Sequence, residues 1–297
     1  MLAILLHVVM VMGLGCNLIA LCVIVRQDVR KPDLTLALVM AISDLVLVAF
    51  KLGESFLLSV LSGASKGELV SGQWKGIVST YLLQLSAVSV GSLASLRFLV
   101  IFLKQRVGMK AWWGLFVVPQ VVILGLLVAV AAQGQYEDAQ VMSVMYPALN
   151  SGSEVVELCR YFLLVSFAWP VLAVNISYPC IARLYEAELR LIEPGGFRYK
   201  QTRTVYVKII SFVIIYNVVM LPSIIVLILE AATRVLQSET LESIAVVALF
   251  SMTFFNPLVL LTLHHETYHE LQDFLAHWKL KLTPIKYTTA SQHSLPS

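Results

Sequence analysis

Charge is what this sequence has least of. Only 13% of its 297 residues are charged, against 59% hydrophobic, and the mean hydropathy is +0.84. A soluble domain carries roughly a quarter charged residues, so this chain lacks the polar surface needed to face water. A net charge of +3 is too small to point to nucleic acid as a partner. Cysteine is also scarce. Cys16, Cys22, Cys159 and Cys180 match no zinc or redox spacing, and only Cys159 falls near an expected outer surface, so no structural disulfide is expected. Internal repeats and an independent soluble domain are absent from the pattern. The apolar N-terminal stretch has no basic start and runs on to Val25, too long for a signal-peptide core, and is expected to be a spanning helix rather than a cleaved leader.

What is present is a series of long apolar runs. A helix needs about 20 mainly apolar residues to cross the hydrocarbon. Seven segments meet that need: Leu2–Val25, Leu34–Leu61, Trp74–Leu103, Ala111–Gln133, Cys159–Tyr185, Thr204–Leu229 and Thr240–Leu263. Runs this long without polar alternation exclude a barrel. The fold class is therefore all-α integral membrane, a seven-helix bundle. Its longest connections are expected at Gly134–Leu158 and Glu186–Arg203. Of the 21 Lys and Arg residues, fifteen fall in the first, third and fifth connections with their adjoining span ends and in the C-terminal tail. The basic side is expected to be cytoplasmic, with the N-terminus outside. The acidic second outer loop (Glu137, Asp138, Glu154, Glu157) agrees.

Against this apolar background the buried polar residues stand out, because a charge in hydrocarbon costs several kcal/mol and persists where it has a partner or a function. Asp44 is expected mid-span in helix 2, Asn17 in helix 1, Ser86 in helix 3 and Asn256 late in helix 7, all at similar depth. A shared interior site, hydrated or holding a small cation, would satisfy all four; the alternative is four separate packing residues. Arg97 lies one to two turns from the basic end of helix 3, either as a functional group or as a snorkelling side chain. Pro170, Pro222 and Pro257 interrupt helices 5, 6 and 7, each deleting a backbone hydrogen bond.

Taken together, these residues make the chain resemble the rhodopsin-like (class A) G-protein-coupled receptors. The pattern is Gly15-x-Asn17, Leu38-x-x-Ala41-x-x-Asp44, Ser86 followed by Arg97, Phe167-x-x-Pro170 with Tyr178, Met220-Leu221-Pro222 and Asn256-Pro257. It runs from about Leu2 to Trp278. Departures mark a divergent member. Leu96 stands where the family has an acid before the arginine, and Phe98 where it has a tyrosine. Met220 replaces the toggle tryptophan, Leu260 the helix-7 tyrosine, and no cysteine stands near the top of helix 3. The resemblance implies a non-enzymatic plasma-membrane receptor that couples a small-molecule or lipid agonist to a heterotrimeric G protein. It also implies a coupling switch of Arg97, Tyr178, Pro222, Asn256 and Pro257, and a sodium site at Asp44, Ser86 and Asn256 with Asn17 beside it. The lost acid at Leu96 implies a resting state held less firmly.

Lys51 and Glu54, three residues apart in the outer half of helix 2, face one side. They form either a mutual ion pair or, with Ser79 and Gln84 of helix 3, a pocket reading a polar ligand. Helix 7 has no lysine, with Phe250 near the position where opsins carry one, which excludes retinal as a cofactor. Beyond it Tyr268, Leu271, Leu275, Trp278 and Leu282 make an apolar stripe expected of a short amphipathic eighth helix on the inner leaflet. The receptor domain would then span residues 1–282, followed by a disordered tail over 283–297. Two rivals remain. His265-Glu266-x-x-His269 fits the H-E-x-x-H zinc-protease signature, and intramembrane charges also mark transporters, where inverted repeats would be expected.

Overall fold

The computed structural model describes residues 2–27, 32–60, 72–104, 109–134, 136–138, 145–147, 153–192, 194–233, 239–263 and 270–273. Seven helices dominate: α1 (Leu2–Ile24), α2 (Pro32–Val60), α3 (Gly72–Arg97), α4 (Met109–Ala132), α5 (Glu154–Leu191), α6 (Phe197–Thr233) and α7 (Glu239–Leu263). A π-helical turn, Phe98–Phe102, follows α3 directly. All seven are long and apolar enough to cross a membrane, and the chain is a multi-pass helical membrane protein. Between α4 and α5, strands β1 (Tyr136–Asp138) and β2 (Met145–Pro147) form a small antiparallel hairpin with Glu137 opposite Tyr146.

Helices are the way such a chain satisfies its backbone in lipid, since each closes its own hydrogen bonds. Side-chain polarity runs opposite to that of a soluble bundle. Val11, Val121, Val165, Leu172 and Val218 point outward and are exposed, whereas Asn17, Asp44, Ser86 and Asn256 are buried. Neighbour packing closes a ring: α1 lies against α2 and α7, α2 against α3, α3 against α4 and α5, α5 against α6, and α6 against α7. Two glycines set close approaches. A Cβ on Gly91 would meet the Cα of Pro170 at 2.8 Å, and one on Gly13 would meet Thr253 Oγ1 at 2.9 Å.

The expected connection over Glu186–Arg203 is corrected. Helix α5 continues to Leu191 and α6 starts at Phe197, leaving a tight turn in which Gly195 takes φ +91°. Helix-forming residues carry the extension, with Arg190 bonded to Glu186 one turn back at 2.6 Å. Arg198 of α6 reaches Glu188 of α5 at 2.9 Å. At 38 and 37 residues, both helices outrun the ~30 Å hydrocarbon thickness at 1.5 Å per residue. Of the expected eighth-helix stripe, Leu271 lies in a helical turn over 270–273 and packs partly buried on the core. Tyr268, Leu275, Trp278 and Leu282, and the tail over 283–297, lie outside the described residues.

Candidate functional site

One face of α3 organises the interior. At about 100° per residue, Lys75, Ser79, Ser86, Leu93 and Arg97 fall within roughly 40° of one another, so a single stripe carries polar groups along the helix. Mid-way down this stripe, Asn256 of α7 donates from Nδ2 to Asp44 Oδ2 of α2 at 3.1 Å and to Ser86 Oγ at 2.9 Å. Three helices are thereby joined through one amide. The other carboxylate oxygen, Asp44 Oδ1, is buried and accepts no hydrogen bond among the described residues.

Asn17 does not join this cluster. Pro257 has no N–H, so the carbonyl four residues earlier, that of Thr253, loses its helical donor. Asn17 Nδ2 fills the gap, donating to Thr253 O at 2.6 Å and to Gly13 O of its own helix at 2.9 Å. Its Oδ1 is buried without a partner among the described residues. The expected four-residue site is thus three residues plus a neighbouring bridge between α1 and α7, formed where a proline has opened the α7 ladder.

Toward the basic end, Arg97 Nη1 donates to the Tyr178 hydroxyl of α5 at 3.0 Å. Tyr178 meets Phe212 of α6 edge-on at 5.0 Å, and Phe212 meets Tyr216 at 5.6 Å. Arg97, Tyr178, Phe212, Asn256 and Leu260 line one cleft, with room for about one water molecule. Leu96 points away from it into a small apolar cluster with Leu36, Val88, Trp112 and Phe116, so no carboxylate precedes the arginine to hold it. Pro222 and Pro257 sit inside unbroken helices, and Met220 is fully buried.

At the opposite end, Lys51 Nζ meets Glu54 Oε2 at 3.0 Å, as expected of an ion pair, and Lys75 of α3 adds a second contact to Oε1 at 3.0 Å. Ser79 is buried with its hydroxyl unbonded among the described residues. Gln84 does not share that side: five residues beyond Ser79, it lies roughly 140° around α3, and it too is buried. His265, Glu266 and His269 lie outside the described residues, and no group of three metal-binding side chains occurs among the described residues. The four cysteines are free thiols.

Some partners escaped the sequence reading. Lys75 completes the ion triad, and Asn175 of α5 pairs with Asn217 of α6. The two amides exchange hydrogen bonds at 2.8 and 2.9 Å. Each also donates to the carbonyl four residues back, Val171 O and Val213 O, at 2.9 and 2.7 Å. Their signal was an asparagine in an apolar run five residues from a proline of the same helix, Pro170 in α5 and Pro222 in α6. Compared with known proteins, the chain matches no protein-family model and no curated relative.

Proposed function

We propose that the chain is a divergent rhodopsin-like G-protein-coupled receptor that passes a small-molecule or lipid signal to a heterotrimeric G protein. The observation that carries this reading is the single cleft lined by both Asn256 and Arg97. It links the mid-membrane carboxylate, through Asn256, to the arginine at the basic end. Side chains that touch the two groups therefore meet across one small cleft.

In this reading the basic end faces the cytoplasm across the plasma membrane, and the α5–α6 extensions frame a crevice for a G-protein segment. Helix α5 runs thirteen residues beyond Tyr178, to Leu191, about 20 Å at 1.5 Å per residue. The Arg97–Tyr178 contact is one the family resemblance assigns to the opened bundle. With Leu96 in place of an acid, no salt bridge among the described residues competes for the guanidinium. Asp44, Ser86 and Asn256 would hold a sodium ion, with Asp44 Oδ1 the oxygen left for it. Such an ion stabilises whichever packing keeps the three residues together. Agonist and ion act only through their different affinities for the closed and open bundles.

The test is nucleotide exchange on purified heterotrimers, in membranes carrying the full chain without added ligand. Basal exchange is expected in the wild type and its loss in Arg97→Ala, with the amount of folded protein unchanged. Exchange indifferent to Arg97→Ala contradicts the reading. Zinc-dependent proteolysis abolished by Glu266→Gln would replace it with the protease.

A further inference from the structure

We propose that Lys75 and Ser79 form the headgroup subsite for an acidic ligand, a carboxylate or a phosphate carried on an apolar body. The receptor reading is needed for what such a ligand does, and the binding itself stands apart from it. Glu54 is the starting point. Its side chain is 9% exposed, and each of its oxygens faces an ammonium: Lys51 on Oε2 and Lys75 on Oε1, both at 3.0 Å. A single carboxylate thus lies between two cations, in surroundings where charges are screened far less than in water. Oε2 accepts a hydrogen bond from Lys51, while Oε1 has Lys75 as a charge neighbour but accepts no hydrogen bond among the described residues. Two ammonium groups against one carboxylate leave the triad net positive. The triad is built to repel a cation and to take a further anion.

Lys75 is the member open to a ligand. Its side chain keeps 24% of its exposure, against 7% for Lys51, and among the described residues Glu54 is its one ion-pair partner. Two of its three N–H donors stay available. One turn further into the membrane on the same face is Ser79, 1% exposed, its hydroxyl unbonded among the described residues. A buried hydroxyl without a partner is uncommon and destabilising. An oxyanion lying between these residues would accept from both, with the charge-assisted bond to Lys75 the stronger. Below the headgroup, one turn beyond Ser79 and within about 40° of it on α3, the buried Leu83 offers an apolar wall suited to an apolar ligand body. Lys51 acts as a positioning residue that holds Glu54 across from α3.

The experiment measures thermal stabilisation of the full chain in neutral-lipid nanodiscs by four probes with one tail: laurate, dodecyl phosphate, dodecanol and dodecylamine. Benzoate is added as a compact, water-soluble carboxylate. Laurate or dodecyl phosphate should stabilise, with dodecanol and dodecylamine at least tenfold weaker in apparent affinity. Lys75→Gln should weaken acidic probes about tenfold or more, Ser79→Ala less, while Lys75→Arg should retain most of the effect. Stabilisation by benzoate as well would identify a soluble acid as the source; its absence beside a laurate effect would identify a lipid. Equal stabilisation by dodecanol, an acidic-probe effect untouched by Lys75→Gln, or no effect from any acidic probe overturns the proposal. None of these outcomes depends on nucleotide exchange. Loss of binding with Arg97-dependent exchange intact would sink this site and spare the receptor.

Discussion

Asparagine serves two different ends in this bundle. On the α5–α6 seam, Asn175 and Asn217 consume each other: both N–H groups of each amide are used, one across the seam and one on the preceding turn. In the interior, Asn256 spends its two donors on Asp44 and Ser86, yet the cluster keeps an unpartnered carboxylate oxygen among the described residues. The first pair is closed and asks for nothing more. The second is open, because a buried acceptor without a donor carries a desolvation cost that a further ligand would relieve. The residue type is shared; what differs is whether the polar groups balance.

That contrast can be broken from its stronger side first. Asn256→Ala removes both donors and leaves Asp44 buried with only the Ser86 hydroxyl beside it, which should cost about 3 kcal/mol, read as a fall in the midpoint of thermal unfolding in nanodiscs. Asp44→Asn in the same background should return part of that loss, since it removes the buried charge. The seam should give a smaller number. A double-mutant cycle of Asn175→Ala and Asn217→Ala is expected to show a coupling of about 1 kcal/mol, with basal exchange unaltered. A coupling near zero would mean that the two amides do not hold the seam, and altered exchange would mean that the seam is part of the switch.

How far these features were legible beforehand follows from what each one needs. Asp44, Asn17 and Asn256 announced themselves as polar residues inside apolar runs, a property of one segment at a time. That Asn17 turns to the Thr253 carbonyl rather than to Asp44 depends on the rotation of α1 against α7, which Gly13 sets by letting Thr253 come close. Spacing alone does not give that. The partnership of Lys75 with Glu54 required the vertical register of α2 against α3. Gln84 was different: its angle of roughly 140° from Ser79 was readable from helical geometry, which the expectation of one pocket holding both did not take into account. The α5–α6 extension was missed because hydropathy registers only the part of a helix that faces lipid. The Glu186–Arg190 pair and the Pro194-Gly195-Gly196 turn signal carried the information instead.

The most direct test of the open interior site is a cation titration of thermal stability. Wild type, Asp44→Asn and the Asn175→Ala/Asn217→Ala double variant would be compared in sodium chloride and in choline chloride at equal ionic strength. A ligand that binds only the folded chain stabilises it by RT ln(1 + [L]/Kd), about 1.4 kcal/mol when sodium reaches roughly ten times its Kd. The account predicts a sodium-specific rise in the unfolding midpoint for wild type and the seam variant, and none for Asp44→Asn. A rise that survives Asp44→Asn, or no sodium-specific rise in the wild type, would contradict it.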